Sequence, residues 1–455
     1  MMVPTNRLLV FYGVTIPPLA LLLVLRDEAV VPVTGAGLLF LLTALLDAAF
    51  ASTRLRGISV SLPGNVRMTR DRETFLEIYL NNTHMRARTL RLGIAFPHEI
   101  STRQEELSTV LPKDAEASRL LWPCIPSHRG QFHIDRCHLE MKSPLGFWAF
   151  RNMRKVACEV RVYPNLIGER NRLAALFLNR GGYGVHARRQ HGKGREFEQL
   201  REYIPGDGFD EIHWKATAKR RHPITKVFQI EKTQEVYVVI DASRLSARST
   251  GARRNGAGGE ADDLNARDSC LERFIAAALV LGLAAQKQGD LFGVLAFSDS
   301  IHAFLRARGG KSHYSACREQ LLNIHPRMVN PDYEELSTFV GLKLRRRALI
   351  ILLTSLDDPV LAESFMRTTN LMGRHHLMMV NMLRPAGARP VFSNPNITSS
   401  EEIYNELSGH ILWHHLREIE RTLTRHGVHF ALVDNERLCV HLVSQYMNVK
   451  QRQLL

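Results

Sequence analysis

The sequence is poor in cysteine, and its cysteines are not spaced as metal ligands or disulfide pairs. The six are Cys124, Cys137, Cys158, Cys270, Cys317 and Cys439. They include no Cys-x-x-Cys pair and follow no regular spacing. Zinc sites and disulfide frameworks depend on such spacing, so the sequence indicates neither, and a reducing compartment fits it best.

Catalytic motifs are lacking as well. The sequence contains no His-Glu-x-x-His motif, and the adjacent pairs His375-His376 and His414-His415 point their rings in different directions on a strand or helix. Gly192-Lys193-Gly194 is not the complete Gly-x4-Gly-Lys-Ser/Thr phosphate loop and follows no apolar strand. Hydrolase and nucleotide chemistry are therefore not indicated, and we expect a protein that is not an enzyme.

Acidic residues are outnumbered by basic ones, which gives the chain a formal net charge of +15. Such an excess favours anionic partners, and membrane lipid headgroups are one class. Nucleic acid is the alternative, in which the clusters Arg188-Arg189 and Lys219-Arg220-Arg221 would contact phosphates. No motif that reads DNA or RNA accompanies these clusters, so we do not expect nucleic acid to be the main partner.

Two long apolar runs begin the sequence, at residues 8–25 and 29–50, with a short polar triplet at 26–28 between them. Each run can cross the ~30 Å hydrocarbon layer, which predicts a transmembrane helical hairpin over residues 1–57. Arg7, Arg54 and Arg56 flank the pair, so both ends are expected in the cytoplasm of a bacterium, with a multi-pass anchor in the inner membrane. A cleaved signal peptide is the alternative, because residues 49–51 resemble a small-residue cleavage site.

The rest of the chain falls into three regions by pattern. Residues 58–165 alternate apolar and polar side chains, as in 74–80, and predict a small β-sandwich. Residues 166–234 form a basic segment that begins with a short helix. Residues 235–455 alternate apolar strands with helical runs, which predicts an α/β domain with a mainly parallel sheet and a flexible, Gly/Ala/Arg-rich insertion at 246–269.

Oxygen-bearing side chains follow the first strand of the α/β domain. Asp241, Ser243 and Ser246 come at its carboxyl end, where open α/β sheets bind ligands, and such oxygens suit a hard cation. The stretch is similar to the Asp-x-Ser-x-Ser signature of the metal-ion-dependent adhesion site in von Willebrand factor A domains, which helps to hold magnesium. The resemblance implies an A-like domain in which Asp357 could supply a further oxygen.

Two departures weaken the metal assignment. Leu245 stands where the second Ser of the signature is expected, and Ser355 stands where the acid after Thr354 is expected. Magnesium requires near-octahedral geometry, so shifts of one or two residues matter. We therefore expect a structural strand end without a cofactor, and a weak magnesium site is the alternative.

A longer resemblance lies upstream. Residues 192–207 read Gly-Lys-Gly-Arg-Glu-Phe-Glu-Gln-Leu-Arg-Glu-Tyr-Ile-Pro-Gly-Asp, and residues 212–218 read Ile-His-Trp-Lys-Ala-Thr-Ala. This is similar to the signature of the bacterial family catalogued as domain of unknown function 58, whose members join two membrane helices to an A-like domain. Residues 143–147, Ser-Pro-Leu-Gly-Phe, resemble the family's Asp-Pro-Phe-Gly-Leu segment, with Ser143 in place of the acid, and Val162-Tyr163-Pro164 extends the match.

The signature reads as a partner-binding surface rather than a catalytic site. Its Pro-Gly-Asp sequence is typical of a turn. Trp214 beside Lys215 offers an aromatic anchor next to a cation. The candidate residues are Glu196, Phe197, Arg201, Tyr203, Pro205, Gly206, Asp207, Trp214 and Lys215. The alternative is that Trp214, Phe197 and Tyr203 pack this segment onto the A-like domain.

The family resemblance also implies a role. Members are associated with MoxR-type AAA+ ATPases and with transglutaminase-like membrane proteins, so the chain is expected to be a membrane-anchored scaffold or adaptor of such an ATPase in complex assembly or maturation. A basic surface for nucleic acid or anionic lipid, and a metal-dependent ligand-binding A domain, are the alternatives.

Overall fold

A computed structural model describes residues 1–25, 30–52, 57–83, 88–179, 191–205, 208–229, 234–250, 269–385, 387–391 and 400–452. The chain divides into two compact units, Met1–Asn165 and Leu166–Leu455.

The first unit consists of an N-terminal strand, two helices and a series of further strands. In chain order they are β1 Met2–Pro4, α1 Asn6–Leu25, α2 Val30–Ser52, β2 Ile58–Ser61, β3 Asn65–Thr69, β4 Thr74–Asn82, β5 Arg88–Ile94, β6 Ile100–Thr102, β7 Glu106–Leu111, β8 Ala117–Pro126, β9 Gly130–Lys142 and β10 Trp148–Tyr163.

These strands form two sheets. One has the order β1-β10-β9-β5-β7, with β3 beside β10, and the other has the order β2-β4-β8-β6. Pairing is antiparallel apart from β3, which runs parallel to β10. Because alternate side chains of a strand share a face, β4 buries Leu76, Ile78 and Leu80. They join Trp122 in one apolar cluster, to which both sheets contribute side chains.

In the described part of the chain, one helical stretch rather than two is long and apolar enough to cross a membrane, Val31–Ala49 within α2. The prediction of two transmembrane helices was therefore wrong.

The second unit contains the remaining elements. In chain order they are α3 Ile167–Asn179, β11 His191–Glu202, α4 Trp214–Arg220, β12 Ile224–Gln229, β13 Glu235–Asp241, α5 Cys270–Lys287, β14 Leu291–Phe297, β15 Ile301–Arg308, α6 Lys311–Leu322, α7 Tyr333–Lys343, β16 Leu349–Leu353, α8 Pro359–Gly373, β17 Leu377–Leu383, α9 Ser400–Arg425, β18 His429–Val433 and α10 Leu438–Arg452.

A six-stranded sheet with the order β15-β14-β13-β16-β17-β18 forms the centre of this unit. Its strand β13 is buried along its length, and the two faces of the sheet contribute to separate apolar clusters. One cluster joins the sheet to α5 and α10. The other joins it to α7, α8 and α9.

The predicted mainly parallel, von Willebrand A-like sheet was wrong. The sheet is mixed, because β15 runs antiparallel to β14, and most of the other sheets of the molecule are antiparallel. Residues 298–300 reverse the chain between β14 and β15, a connection far too short for a parallel crossover. Of the predicted insertion at 246–269, Ser246 is buried, Ser249 pairs with Ser269, and residues 251–268 lie outside the described residues.

Packing around β14 is tight enough to require glycine at position 293. A Cβ there would lie 2.5 Å from the Tyr237 ring and 2.8 Å from the backbone oxygen of Leu305. We expect Gly293→Ala to lower the free energy of unfolding by about 1–3 kcal/mol, since overpacking shifts buried atoms. Denaturant unfolding of the detergent-solubilised protein measures this.

The control for that variant is Gly341→Ala in α7, where a Cβ would meet nothing within 4 Å. Alanine favours helix over glycine, so this change should raise stability by up to about 1 kcal/mol. Equal effects of the two variants would contradict the packing explanation.

Candidate functional site

The signature residues lie on and between two paired strands. Strands β11 and β12 form an antiparallel two-stranded sheet, in which Glu196 faces Gln229 and Phe197 faces Phe228 along the backbone. Residues 203–223 connect the strands, and we call them the signature loop. Of the predicted residues, Gly206 and Asp207 lie outside the described residues.

Backbone hydrogen bonds hold the two ends of the signature loop together. The Tyr203 N–H donates to the Pro223 oxygen (3.0 Å), and the His213 N–H donates to the Ile224 oxygen (2.7 Å). Ile212 within the loop and Ile224 at the start of β12 are both buried. The loop is therefore anchored on apolar side chains at its base.

The short helix α4 is fixed at both ends. The Nδ1 atom of His213 accepts a hydrogen bond from the Ala216 N–H (3.0 Å), which caps the first turn. The helix ends at Arg221 in a left-handed conformation with φ of 60°. The Thr217 hydroxyl accepts the N–H of Ile224 at 3.0 Å. These contacts hold the helix in place although none of its own side chains is buried.

Large apolar side chains of the loop face solvent. Trp214 is 67% exposed and Phe209 is 76% exposed. Tyr203 stacks beside Phe209 with ring centroids 6.5 Å apart, and Ile204 and Pro205 are exposed next to them. The alternative in which Trp214 packs inward does not fit this exposure.

Basic side chains are exposed on the same loop. Lys215, Lys219, Arg220 and Arg221 are all exposed in or directly after α4. The guanidinium of Arg201 is tied back to the Glu202 backbone oxygen at 3.2 Å. The loop therefore combines aromatic anchors with a local concentration of positive charge.

The second candidate site lies at the end of β13, where Asp241 is completely buried. One of its oxygens accepts a hydrogen bond from the Ser243 N–H (2.8 Å), and the other accepts one from the Thr354 hydroxyl (2.6 Å). The Tyr333 hydroxyl lies 3.0 Å from that of Thr354. Burial raises the pKa of Asp241, against the opposing effect of these hydrogen bonds, and burial also raises the pKa of Tyr333 well above its usual range.

The two serines of the metal hypothesis take part in a local turn. The Ser243 hydroxyl oxygen accepts the N–H of Leu245 at 3.3 Å. The Ser246 hydroxyl donates to the Ser243 backbone oxygen at 2.8 Å. Both serines are buried, and Leu245 is buried between them.

The acids after β16 are paired with arginines. Asp357 forms an ion pair with Arg248. Asp358 lies 3.3 Å from a guanidinium nitrogen of Arg244, and it caps α8 by accepting the N–H of Val360 at 3.0 Å. The role of these two arginines as ion-pair partners was not predicted from the sequence, although both lie within seven positions of Asp241.

The oxygens named as possible magnesium ligands already have partners within the protein. The oxygens of Asp241, Ser243 and Ser246 are engaged within the protein, and arginine already supplies the positive charge beside Asp357. Across the described ranges, no group of three or more His, Cys, Asp or Glu side chains is arranged to hold a metal. The arrangement can instead stabilise the strand end.

Part of the chain matches the sequence model of a known protein family. The sequence model of the family described as "Protein of unknown function DUF58" matches residues 199–389, which include the signature loop and most of the central sheet. Among curated proteins, none matches this chain.

Solved structures give low-scoring similarities. A protein of unknown function from Porphyromonas gingivalis W83 is 16% identical over 24% of this chain and 49% of its own, with a TM-score of 0.17. Proximal thread matrix protein 1 of the mussel byssus is 11% identical over 48% of this chain and 46% of its own, with a TM-score of 0.24. This chain thus spans about half of each.

A third structure is an uncharacterised membrane-spanning protein from Vibrio fischeri. It is 15% identical over 48% of this chain and 98% of its own, with a TM-score of 0.17. Scores this low do not establish that this chain shares a fold with any of the three.

Asp241 should make stability depend on pH. Its folded-state pKa is raised, so its contribution is complete below the unfolded pKa of about 3.9 and is lost as pH rises through the folded value. We expect wild type to lose stability relative to Asp241→Asn as pH rises from about 4 towards the folded-state pKa, by about 1.4 kcal/mol for each unit of pKa shift. Denaturant unfolding of both proteins across this range measures the difference.

Asp299 provides a control of opposite sign. The Ser298 hydroxyl lowers its pKa, so its contribution is present above the unfolded pKa and is lost as pH falls. Wild type should therefore gain stability relative to Asp299→Asn as pH rises. A pH-independent difference for Asp241→Asn would contradict the desolvation of Asp241.

Magnesium should leave the melting temperature nearly unchanged, because the oxygens of the strand end are already engaged. Even binding with a Kd equal to the magnesium concentration adds only ~0.4 kcal/mol. Melting curves of wild type and Asp241→Ala with and without millimolar magnesium test this. A rise of many degrees in wild type that disappears in the variant would show a competent metal site.

Proposed function

We propose that this chain is a membrane-anchored docking protein without catalysis of its own, and that its signature loop binds a protein partner. The family resemblance makes a MoxR-type AAA+ ATPase the expected class of partner, in complex assembly or maturation. The observation that carries the proposal is the exposure of Trp214 and Phe209 on a loop whose base is fixed.

Exposed aromatic side chains of this size favour a binding role. Burying one fully contributes about 1.5–3 kcal/mol, and tryptophan is enriched among the residues that dominate interface energies. Because α4 is capped and its ends are tied to β12, Trp214 would lose little backbone freedom on binding. The partner would offer an apolar pocket.

The basic residues of the signature loop indicate the charge of the partner surface around that pocket. Lys215, Lys219, Arg220 and Arg221 would meet an acidic surface, which speeds encounter and orients the partner. Exposed ion pairs add little affinity by themselves. The aromatic contacts therefore supply the binding energy, and the basic residues supply selectivity.

The anchor is the stretch Val31–Ala49. Arg54 and Arg56 follow it in the sequence, and basic residues next to a span favour the cytoplasmic side. We accordingly place the part of the chain that follows this stretch in the cytoplasm at a bacterial inner membrane, where an AAA+ ATPase can reach it.

Trp214→Ala should weaken partner binding by about 2 kcal/mol or more, or about 30-fold in Kd, while the melting temperature of the protein stays unchanged. Lys215→Glu should weaken it less, and more strongly at low salt. Affinity purification from gently solubilised membranes, followed by identification of co-purifying ATPases, measures both effects.

Tyr404→Ala in α9 is the matched control, since Tyr404 is 72% exposed outside the signature loop. It should leave co-purification intact. If Trp214→Ala lowers folded yield and binding in parallel, the loop is structural packing. If it leaves protein binding intact and reduces salt-dependent retention on DNA or anionic vesicles, the surface serves those ligands instead.

A further inference from the structure

An acidic side chain near the end of the candidate membrane helix has specific partners. Asp47 of α2 is buried. Its Oδ1 accepts the N–H of Leu145 at 3.0 Å, and its Oδ2 accepts the N–H of Phe147 at 3.3 Å. The carboxylate thus binds the backbone of a turn between β9 and β10, which explains why a charge is tolerated within an apolar helix.

The turn that Asp47 binds comprises residues 143–148, and we call it the β9–β10 turn. The Ser143 hydroxyl accepts the N–H of Trp148 at 3.0 Å, a role that the carboxylate of an Asp at this position could also take. Gly146 adopts a left-handed φ of 80°, which few other residues adopt without strain. The turn is therefore a fixed structure rather than an open loop.

Apolar and polar contacts join the β9–β10 turn to both N-terminal helices. The Trp148 ring nitrogen donates to the Ala44 oxygen at 2.9 Å. The Phe147 ring lies 5.9 Å from Phe40 and 6.0 Å from Phe11, and the rings of Phe11 and Phe40 stack at 4.9 Å. The turn is thus held against the end of α2 that leads into the strands.

These contacts fix the depth of the turn relative to the apolar stretch that ends at Ala49. At 1.5 Å per residue, Asp47 lies about 3 Å and Ala44 about 7.5 Å inside that end. This is the interfacial zone, in which tryptophan side chains are enriched and amphipathic elements are buried about 5–10 Å deep.

The sequence in and around the β9–β10 turn fits this interfacial zone. Residues 143–150 read Ser-Pro-Leu-Gly-Phe-Trp-Ala-Phe and contain no charge, whereas Lys142 and Arg151 stand on either side. Both cations are exposed, as is Leu145, whose side chain is 54% exposed at the tip of the turn. Arg151 also pairs with Glu140 at 2.7 Å, whereas Lys142 stands directly before the apolar tip, a pattern that suits lipid chains beneath anionic headgroups.

We propose that the β9–β10 turn contacts the lipid bilayer, with Leu145 inserted at the boundary between headgroups and acyl chains. The inference rests on the membrane anchoring proposed above. It adds that the β-strand unit has a second contact with the membrane, held at a fixed depth by Asp47.

A fluorescent label at the tip tests the proposal in the full chain. The native cysteines are buried, and burial raises the pKa of Cys124 to about 12 and that of Cys137 to about 11, so they react slowly. Leu145→Cys is labelled with an environment-sensitive nitrobenzoxadiazole dye in lipid vesicles. Leu121→Cys in β8, with an exposed side chain in the same unit, is the control.

We expect a blue-shifted emission for the label at 145 and a loss of emission when the lipids carry a nitroxide on the upper acyl chain, with neither change at 121. Equal behaviour of the two labels would overturn the proposal. Alkaline washing of the vesicles separates the two inferences: protein that washes off refutes the anchor and the turn contact together, whereas retained protein with an unquenched label refutes the turn contact alone.

Asp47→Ala gives a second test. The change makes α2 more apolar, so retention in the membrane should persist, but the turn loses both hydrogen bonds. Quenching of the label at 145 should then fall. Unchanged quenching in this background would show that Asp47 does not set the depth of the turn.

Discussion

Burial of β13 on both faces is the constraint on which the second unit depends. A strand enclosed in this way ends at Asp241, whose charge must be satisfied inside the protein. Ser243 and Thr354 provide its hydrogen bonds, and Tyr333 extends the network. At this strand end, a position where open α/β sheets commonly bind ligands, the polar groups hydrogen-bond to one another. The exposed aromatic side chains Trp214 and Phe209 lie instead on the signature loop.

The first unit also contains a buried carboxylate whose oxygens are satisfied by hydrogen bonds. Asp47 is buried on the apolar helix α2, and its two oxygens accept the backbone N–H groups of a distant turn. A buried carboxylate tolerates few alternative arrangements, because losing either donor leaves an unsatisfied charge. Such a group therefore specifies one docking geometry, whereas the aromatic contacts of Phe147 alone would allow several.

The sequence predicts elements well where patterning is local and strong. Strand β14, Leu291–Phe297, is an uninterrupted apolar run between polar residues, so its bounds can be read from the sequence. The antiparallel β15 was missed because its side chains are only half buried. Trp214 and Lys215 were predicted as partner-binding residues from the family resemblance. Their exposure depends on packing between residues that are far apart in the sequence. The hydrogen bond from Thr354 to Asp241 spans 113 positions, a relation that no local pattern carries.

The N-terminal strand has a consequence for the order in which the chain matures. The amino group of Met1 reaches a partner 150 positions along the chain, and Asp47 reaches one 98 positions along. At synthesis rates of about 5–20 residues per second, several seconds separate the emergence of these partners. During that interval α1 and α2 leave the ribosome while β1 has no strand to join. Closure of the first sheet therefore waits for β10, and both β1 and the Asp47 carboxylate find their partners only after residues 145–151 have been made.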